Sequence, residues 1–170
     1  SGRAYIITPK IPSQDLRQFV SRFFLKFERF KTSTDRIRIA YRTQEDLNLP
    51  AYETITWAST TTFTASNANI AVGDFINVVA GDNAGLLAEI TVKTGAGAPW
   101  TFTIDLTANS STKDARVQYL RFTDTATLTS QAIQSEVLDI GQRSEWVQFL
   151  VEIRGTELSP AVNGFLIDAE

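Results

Sequence analysis

The sequence predicts an all-β chain: an antiparallel β-sandwich, jelly-roll-like, with a small β-barrel inserted in a loop. Three observations carry that prediction. Apolar and polar residues alternate with period two near both ends of the chain, the mark of strands with one buried face. The middle third becomes rich in Thr, Ser, Ala and Gly, with short strand-like runs separated by turn residues. Helix signals are sparse. Ser13 is a possible N-cap, but 13–19 is too short for a stable helix, and the threonines of 124–134 favour extended chain.

The elements follow in order. In 22–30, Phe23, Leu25 and Phe27 share one side of a strand, and Phe24, Lys26, Glu28 and Phe30 share the other. Thr32-Ser33-Thr34-Asp35 reads as a polar turn. Residues 36–42 then alternate, with Ile37, Ile39 and Tyr41 inward and Arg36, Arg38 and Arg42 outward. These two segments are expected to form an antiparallel hairpin with one wet face. In 51–69, β-branched residues surround Trp57 and Phe63. Val72-Gly73-Asp74 turns into a strand at 75–79, and the AGDNAG run at 80–85 is a tight loop of residues that tolerate positive φ. A strand at 86–92, a Gly/Ala/Pro turn at 95–99 and the alternating Phe102, Ile104 and Leu106 complete the insert. Four or five such strands suffice for a small barrel, with Ile76, Val78, Ile104 and Leu106 as its core. Near the other end, Val147, Phe149, Val151 and Ile153 alternate with Gln148, Leu150, Glu152 and Arg154. A turn at 155–160 leads to a last strand, 164–168, carrying Phe165 and Ile167. The predicted division is a sandwich of 1–54 and 113–170, with the barrel at 55–112.

Composition narrows the function. The chain has 170 residues, 43% hydrophobic and 21% charged, with no Cys, His or Met. Those are ordinary globular proportions. Without Cys or His there are no disulfides, thiolate zinc sites or cysteine nucleophiles, and the commonest general base and metal ligand is missing. No apolar run is long enough for a membrane span. The absence of Met and the Ser1-Gly2 start suggest a domain cut from a longer polypeptide, with a protease-cleavage scar at its head.

Charge is unevenly spread. Residues 1–43 carry ten basic and three acidic side chains, a balance of +7, and the rest of the chain is −10. One reading is a basic face at Lys26, Arg36, Arg38 and Arg42, a candidate docking patch for an acidic partner. The simpler reading pairs basic strands of the first third with acidic strands of the last, which is mildly stabilising and needs no ligand.

No constellation points to catalysis. Glu45, Asp46, Asp105 and Asp114 could supply paired carboxylates, but nothing in the sequence ties two of them together at the separation a glycosidase needs. Asp82 and Asn83 lack the spacing of an EF-hand and read as a turn. No serine has a histidine base, and the glycines match no phosphate-binding fingerprint. The expectation is a non-enzyme with no cofactor and no metal. Trp57, Trp100 and Trp146 could form a sugar-stacking platform; the plainer reading is packing at core edges and at the junction with the insert.

Two resemblances extend this. Val72 to Gly81 (VGDFINVVAG), with Gly85 and Ile90, resembles the Gly-Asp, hydrophobic run and Gly pattern of small SH3-like barrels, including KOW modules. Those modules imply RNA contacts, but the segment is acidic and has a single Lys, so no nucleic-acid partner is expected. Tyr5-Ile6-Ile7-Thr8, the run Phe24 to Phe30, Ile37 to Arg42, Trp146 to Ile153 and Ser159 to Ile167 together resemble β-sandwich domains of tailed-bacteriophage structural proteins. That resemblance, to tail, baseplate or fibre-attachment components, covers about 3–50 and 117–168. It implies an assembly domain in a virion, with other virion subunits as partners and a homo-oligomer in the full-length protein. The alternative it implies is a carbohydrate-binding module that recognises a glycan on the host surface. No catalytic residue carries over.

Overall fold

The period-two segments are strands. In a computed structural model, which describes residues 2–12, 19–27, 30, 32, 34–109, 113–129, 135–155 and 162–169, there is no helix among the described residues. The strands are β1 (Gly2–Ile7), β2 (Ile11–Pro12), β3 (Phe19–Phe27), β4 (Arg36–Arg42), β5 (Glu53–Trp57), β6 (Thr62–Ala65) and β7 (Phe75–Gly81). They continue with β8 (Leu87–Thr94), β9 (Trp100–Ile104), β10 (Asp114–Leu120), β11 (Thr123–Leu128), β12 (Ser135–Arg143), β13 (Trp146–Gly155) and β14 (Val162–Ala169). The possible cap at Ser13 and the turn at 156–160 lie outside the described residues.

The chain divides into two units, Ser1–Gln44 with Phe122–Glu170, and Glu45–Arg121. The first is a β-sandwich of two antiparallel sheets. One sheet runs β1-β13-β4-β11, with β2 also on β13; the other runs β12-β3-β14. Ile37, Ile39, Val147, Phe149, Val151, Leu128 and Phe30 form a buried apolar cluster. β4 and β13 build it because they stand side by side in register, Ile39 opposite Val151 and Ile37 opposite Ile153.

The predicted hairpin of the third and fourth strands does not form. β3 pairs with β12 and β14, whereas β4 pairs with β13 and β11. Local alternation fixes which face of a strand is apolar but not which strand it joins. The polar run before β4 serves instead as a crossing between sheets. Asp35 there is buried, its carboxylate accepting from the Thr32 amide at 3.0 Å and the Thr32 hydroxyl at 2.7 Å.

The second unit is a closed barrel, β10-β5-β6-β9-β8-β7. Its limits exceed 55–112 because β10, expected in the sandwich, fills the gap between β5 and β7. Closure removes every sheet edge, which an open five-strand version would leave bare. Ile76, Val78 and Ile104 lie in its core with Trp57, Phe63, Phe102, Ile55, Ile70, Ile90 and Val117, and Leu106 packs against it partly buried. Phe63 stacks on Phe102 with centroids 5.3 Å apart and meets Trp57 edge-on at 5.9 Å. The tight loop needs its special residues: Gly81, Asn83 and Gly85 all have positive φ. A Cβ at Gly81 would stand 2.7 Å from the Asp114 carbonyl oxygen, where β7 and β10 run close together.

Candidate docking face

Because opposed residues in an antiparallel pair share a face, the register of β1, β13 and β4 assigns a face to every side chain. Arg3 stands opposite Arg154, and Arg154 opposite Arg36. One row along, Tyr5 faces Glu152, and Glu152 faces Arg38. All of these alternate with the apolar residues of the core and so lie on the sheet's other side. The cross-strand rows thus gather arginines from three segments far apart in sequence.

Glu152 anchors the group. Its side chain is 2% exposed and pairs with Arg3 at 3.1 Å, with Arg38 at 3.4 Å and with Arg154. Arg38 also reaches Asp124 on β11 at 2.9 Å. A buried carboxylate is tolerable only when paired and hydrogen-bonded, which three guanidiniums achieve. Further along β4, Arg42 is only 6% exposed. Its Nε donates to Gln148 Oε1 at 2.7 Å, and Gln148 Nε2 donates to the Thr8 carbonyl at 2.7 Å. The Arg42 guanidinium lies 5.4 Å from the Trp146 ring and 5.6 Å from Phe122.

The proposed basic residues therefore part company. Arg36 and Arg38 share one face of the five-stranded sheet and are partly exposed. Arg42 shares it too but is buried in internal contacts, so it offers no charge to a partner. Lys26 belongs to β3 in the other sheet, and its side chain lies outside the description. Arg3 and Arg154, absent from the sequence-based set, join the face because of register alone. Opposite-charge pairing across strands is present where Glu152 faces Arg38.

The three tryptophans fall in two units, Trp57 and Trp100 in the barrel and Trp146 in the sandwich. Trp57 is 1% exposed inside the barrel core, so it presents no ring face for a sugar. Trp100, at the start of β9 in the same unit, is partly buried against that core, with Lys93 Nζ 5.1 Å from its ring centroid. Trp146 belongs to the sandwich unit, with Lys10 Nζ 4.5 Å from its ring centroid.

Other polar side chains hold the barrel together. Arg121 Nε donates to Asp74 Oδ1 at 2.6 Å and its Nη1 to Asp46 Oδ2 at 2.5 Å, joining the two ends of the barrel unit. The Asn48 backbone amide and the Arg121 guanidinium hold the Asp46 carboxyl below the usual carboxylate range, and hydrogen bonding to Asp74 raises Arg121 further. The Tyr119 hydroxyl and Glu53 Oε2 are buried without a hydrogen-bond partner. Burial pushes the Tyr119 phenol far above its usual range, and the Glu53 and Asp74 carboxylates push the same way. Among the described residues no three acidic side chains gather in a way that could hold a metal ion, and no helix is long and apolar enough to cross a membrane.

No family model matches the chain, and no curated protein matches it. Two similar solved structures come from bacteriophage P23-77. The complex of its two major capsid proteins, VP16 and VP17, is 10% identical with a TM-score of 0.19, covering 99% of this chain and 96% of that one. VP17, a capsid protein, is 13% identical with a TM-score of 0.18, covering 99% and 94%. Likeness at these TM-scores carries no argument, and the functional reading stands on the chain's own residues.

Proposed function

We propose that this chain is a non-enzymatic structural domain of a phage virion, a tail or baseplate component that works through protein–protein contacts. The observation that supports it is how the interior is used. The barrel is filled by its own aromatic and branched side chains, and Asp74, Arg121 and Glu152 are engaged in ion pairs that hold strands together. What remains to act on other molecules is outer surface, and assembly is the function outer surface supports best. In this reading the barrel is an SH3-like insert that presents further contact surface, and the arginine face of the sandwich meets an acidic neighbour.

The test is solution mass by light scattering across a range of concentrations. A trimer or hexamer supports the reading. A strict monomer, with glycan titration quenching Trp fluorescence, would replace it with a receptor-recognition module.

A further inference from the structure

One end of the barrel holds two buried polar atoms that the fold leaves unanswered. Glu53 stands opposite Val117 of β10, and Tyr119 lies two residues further along that strand, on the same inward face. Such diagonal neighbours are about 7–8 Å apart, within reach of long side chains. Tyr119 is 3% exposed. Its hydroxyl and Glu53 Oε2 are both buried, and neither has a hydrogen-bond partner. Burial, and then the Glu53 carboxylate, push the Tyr119 phenol upward, which places the two groups near each other.

Residues 66–74 close this end, and charged side chains hold the cover by its backbone. Glu53 Oε1 accepts from the Ser66 amide at 2.9 Å. Lys93 Nζ donates to the Ala68 and Ile70 carbonyls at 2.6 and 2.8 Å. Arg121 Nη2 donates to the Asn69 carbonyl at 2.9 Å, and Asp74 Oδ2 accepts from the Ala71 amide at 2.7 Å. Ile70 of this stretch is fully buried in the same apolar cluster as Tyr119. The two cations that hold the cover are engaged away from Glu53: Arg121 pairs with Asp74 and Asp46, and Lys93 with the two carbonyls. Glu53 makes no ion pair among the described residues. A buried carboxylate oxygen with neither a cation nor a donor is costly.

We propose that Glu53 Oε2 and the Tyr119 hydroxyl are two ligands of a site for one small monovalent cation, an alkali ion or ammonium, beneath the 66–74 cover. Both are oxygen ligands, which suit hard cations, and an ammonium would donate a hydrogen bond to each. One carboxylate matches one positive charge, whereas calcium takes about six to eight oxygens. The ion ties the cover to the barrel wall, because the same carboxylate holds the Ser66 amide. Its role is structural, and it neither needs nor disturbs the assembly reading, which concerns the outer surface.

Urea melts of the intact chain test it, run in sodium, potassium, ammonium and tetramethylammonium chloride at equal concentration. Equal ionic strength gives equal screening, and the methyl groups of tetramethylammonium keep its charge away from both oxygens. One of the small cations should stabilise the wild type over tetramethylammonium, lowering the unfolding constant about threefold at twice its dissociation constant. Glu53→Gln keeps an acceptor for the Ser66 amide and removes the charge, and Tyr119→Phe removes the second oxygen. Both variants should lose the difference. Line broadening of the preferred ion in its own NMR spectrum is a readout apart from stability, present with the wild type and absent with Glu53→Gln. Native tryptophan emission from Tyr119→Phe shows that the loss is read in a folded chain. Equal stability of the wild type in all four chlorides would overturn the inference and leave Glu53 and Tyr119 to bond each other directly. An ion preference that survives in both variants would overturn it too, since the ion then binds elsewhere.

Discussion

At the scale of single residues, the barrel unit depends on Arg121. Asp74 is 2% exposed, and Arg121 Nε and Nη2 hold its two carboxylate oxygens at 2.6 and 2.8 Å. Arg121→Ala leaves that carboxylate buried without its cation, and the unfolding free energy from urea melts should fall by about 2–3 kcal/mol at neutral pH. The same change releases Asp46, whose folded carboxyl ionises more readily than the ordinary 3.8. A carboxyl depressed by folding stabilises the native state above its unfolded value and loses that contribution as pH falls through the folded one. The gap between wild type and Arg121→Ala should therefore narrow below about pH 4, and a gap unchanged down to pH 2 would show that Asp46 takes no part. Tyr119 works at the opposite end of the scale. Folding raises its phenol above the ordinary 10.0, so its contribution is full below that pH and is lost as pH rises beyond it. In absorbance titration, one tyrosine should ionise only together with unfolding. Tyr119→Phe should abolish that coupled step and change stability at pH 7 by no more than about 1 kcal/mol, because the hydroxyl it removes has no hydrogen bond to lose.

At the scale of elements, β6 is a short strand made secure by its aromatic neighbours. Phe63 sits opposite Trp57 on β5 and opposite Phe102 on β9, so one ring ties three strands. Phe63→Ala should cost about 3–5 kcal/mol and shift Trp57 emission to the red in the folded state. A smaller loss with unchanged emission would mean that the barrel collapses around the cavity. The strand-like spacing of β-branched residues around Trp57 and Phe63 was legible in 51–69, but not that this stretch holds two strands, β5 and β6. The faces of β4 and β13 were legible too, because Ile37 and Ile39, or Val147 to Ile153, alternate strictly. Strand partnership was not. The 22–30 and 36–42 segments read as a hairpin because a short polar run joins them, yet the same run spans two sheets. Pairing is settled by contacts distant in sequence, and so is the arginine row: Arg3, Arg36 and Arg154 become neighbours only once β13 lies between β1 and β4. Arg42 was misread for a related reason. It alternates outward like Arg36 and Arg38, but Trp146, Phe122 and Gln148 cover it from elsewhere in the chain.

At the scale of the whole molecule, the way the chain passes between its units bears on whether they fold separately. It leaves the sandwich unit after Gln44 and re-enters it at Phe122. On the sandwich side the two crossings are held together by backbone pairing of Tyr41 with Thr123, and on the barrel side by the ion pair of Asp46 with Arg121. Each unit thus closes its own ends, and each has its own buried apolar cluster. Paired residues of antiparallel strands have Cα atoms about 5 Å apart, so a short glycine-serine linker can replace the whole barrel unit without strain. Deleting 45–121 behind such a linker should leave a β-sheet protein that unfolds cooperatively, with Trp146 as its single tryptophan reporter. The complementary fragment, 45–121, should give a separate transition reported by Trp57 and Trp100, and Arg121→Ala should lower only that one. If the deletion unfolds without cooperativity while the intact chain melts in one step, the two clusters stabilise each other. The chain is then one continuous domain despite its two closed ends.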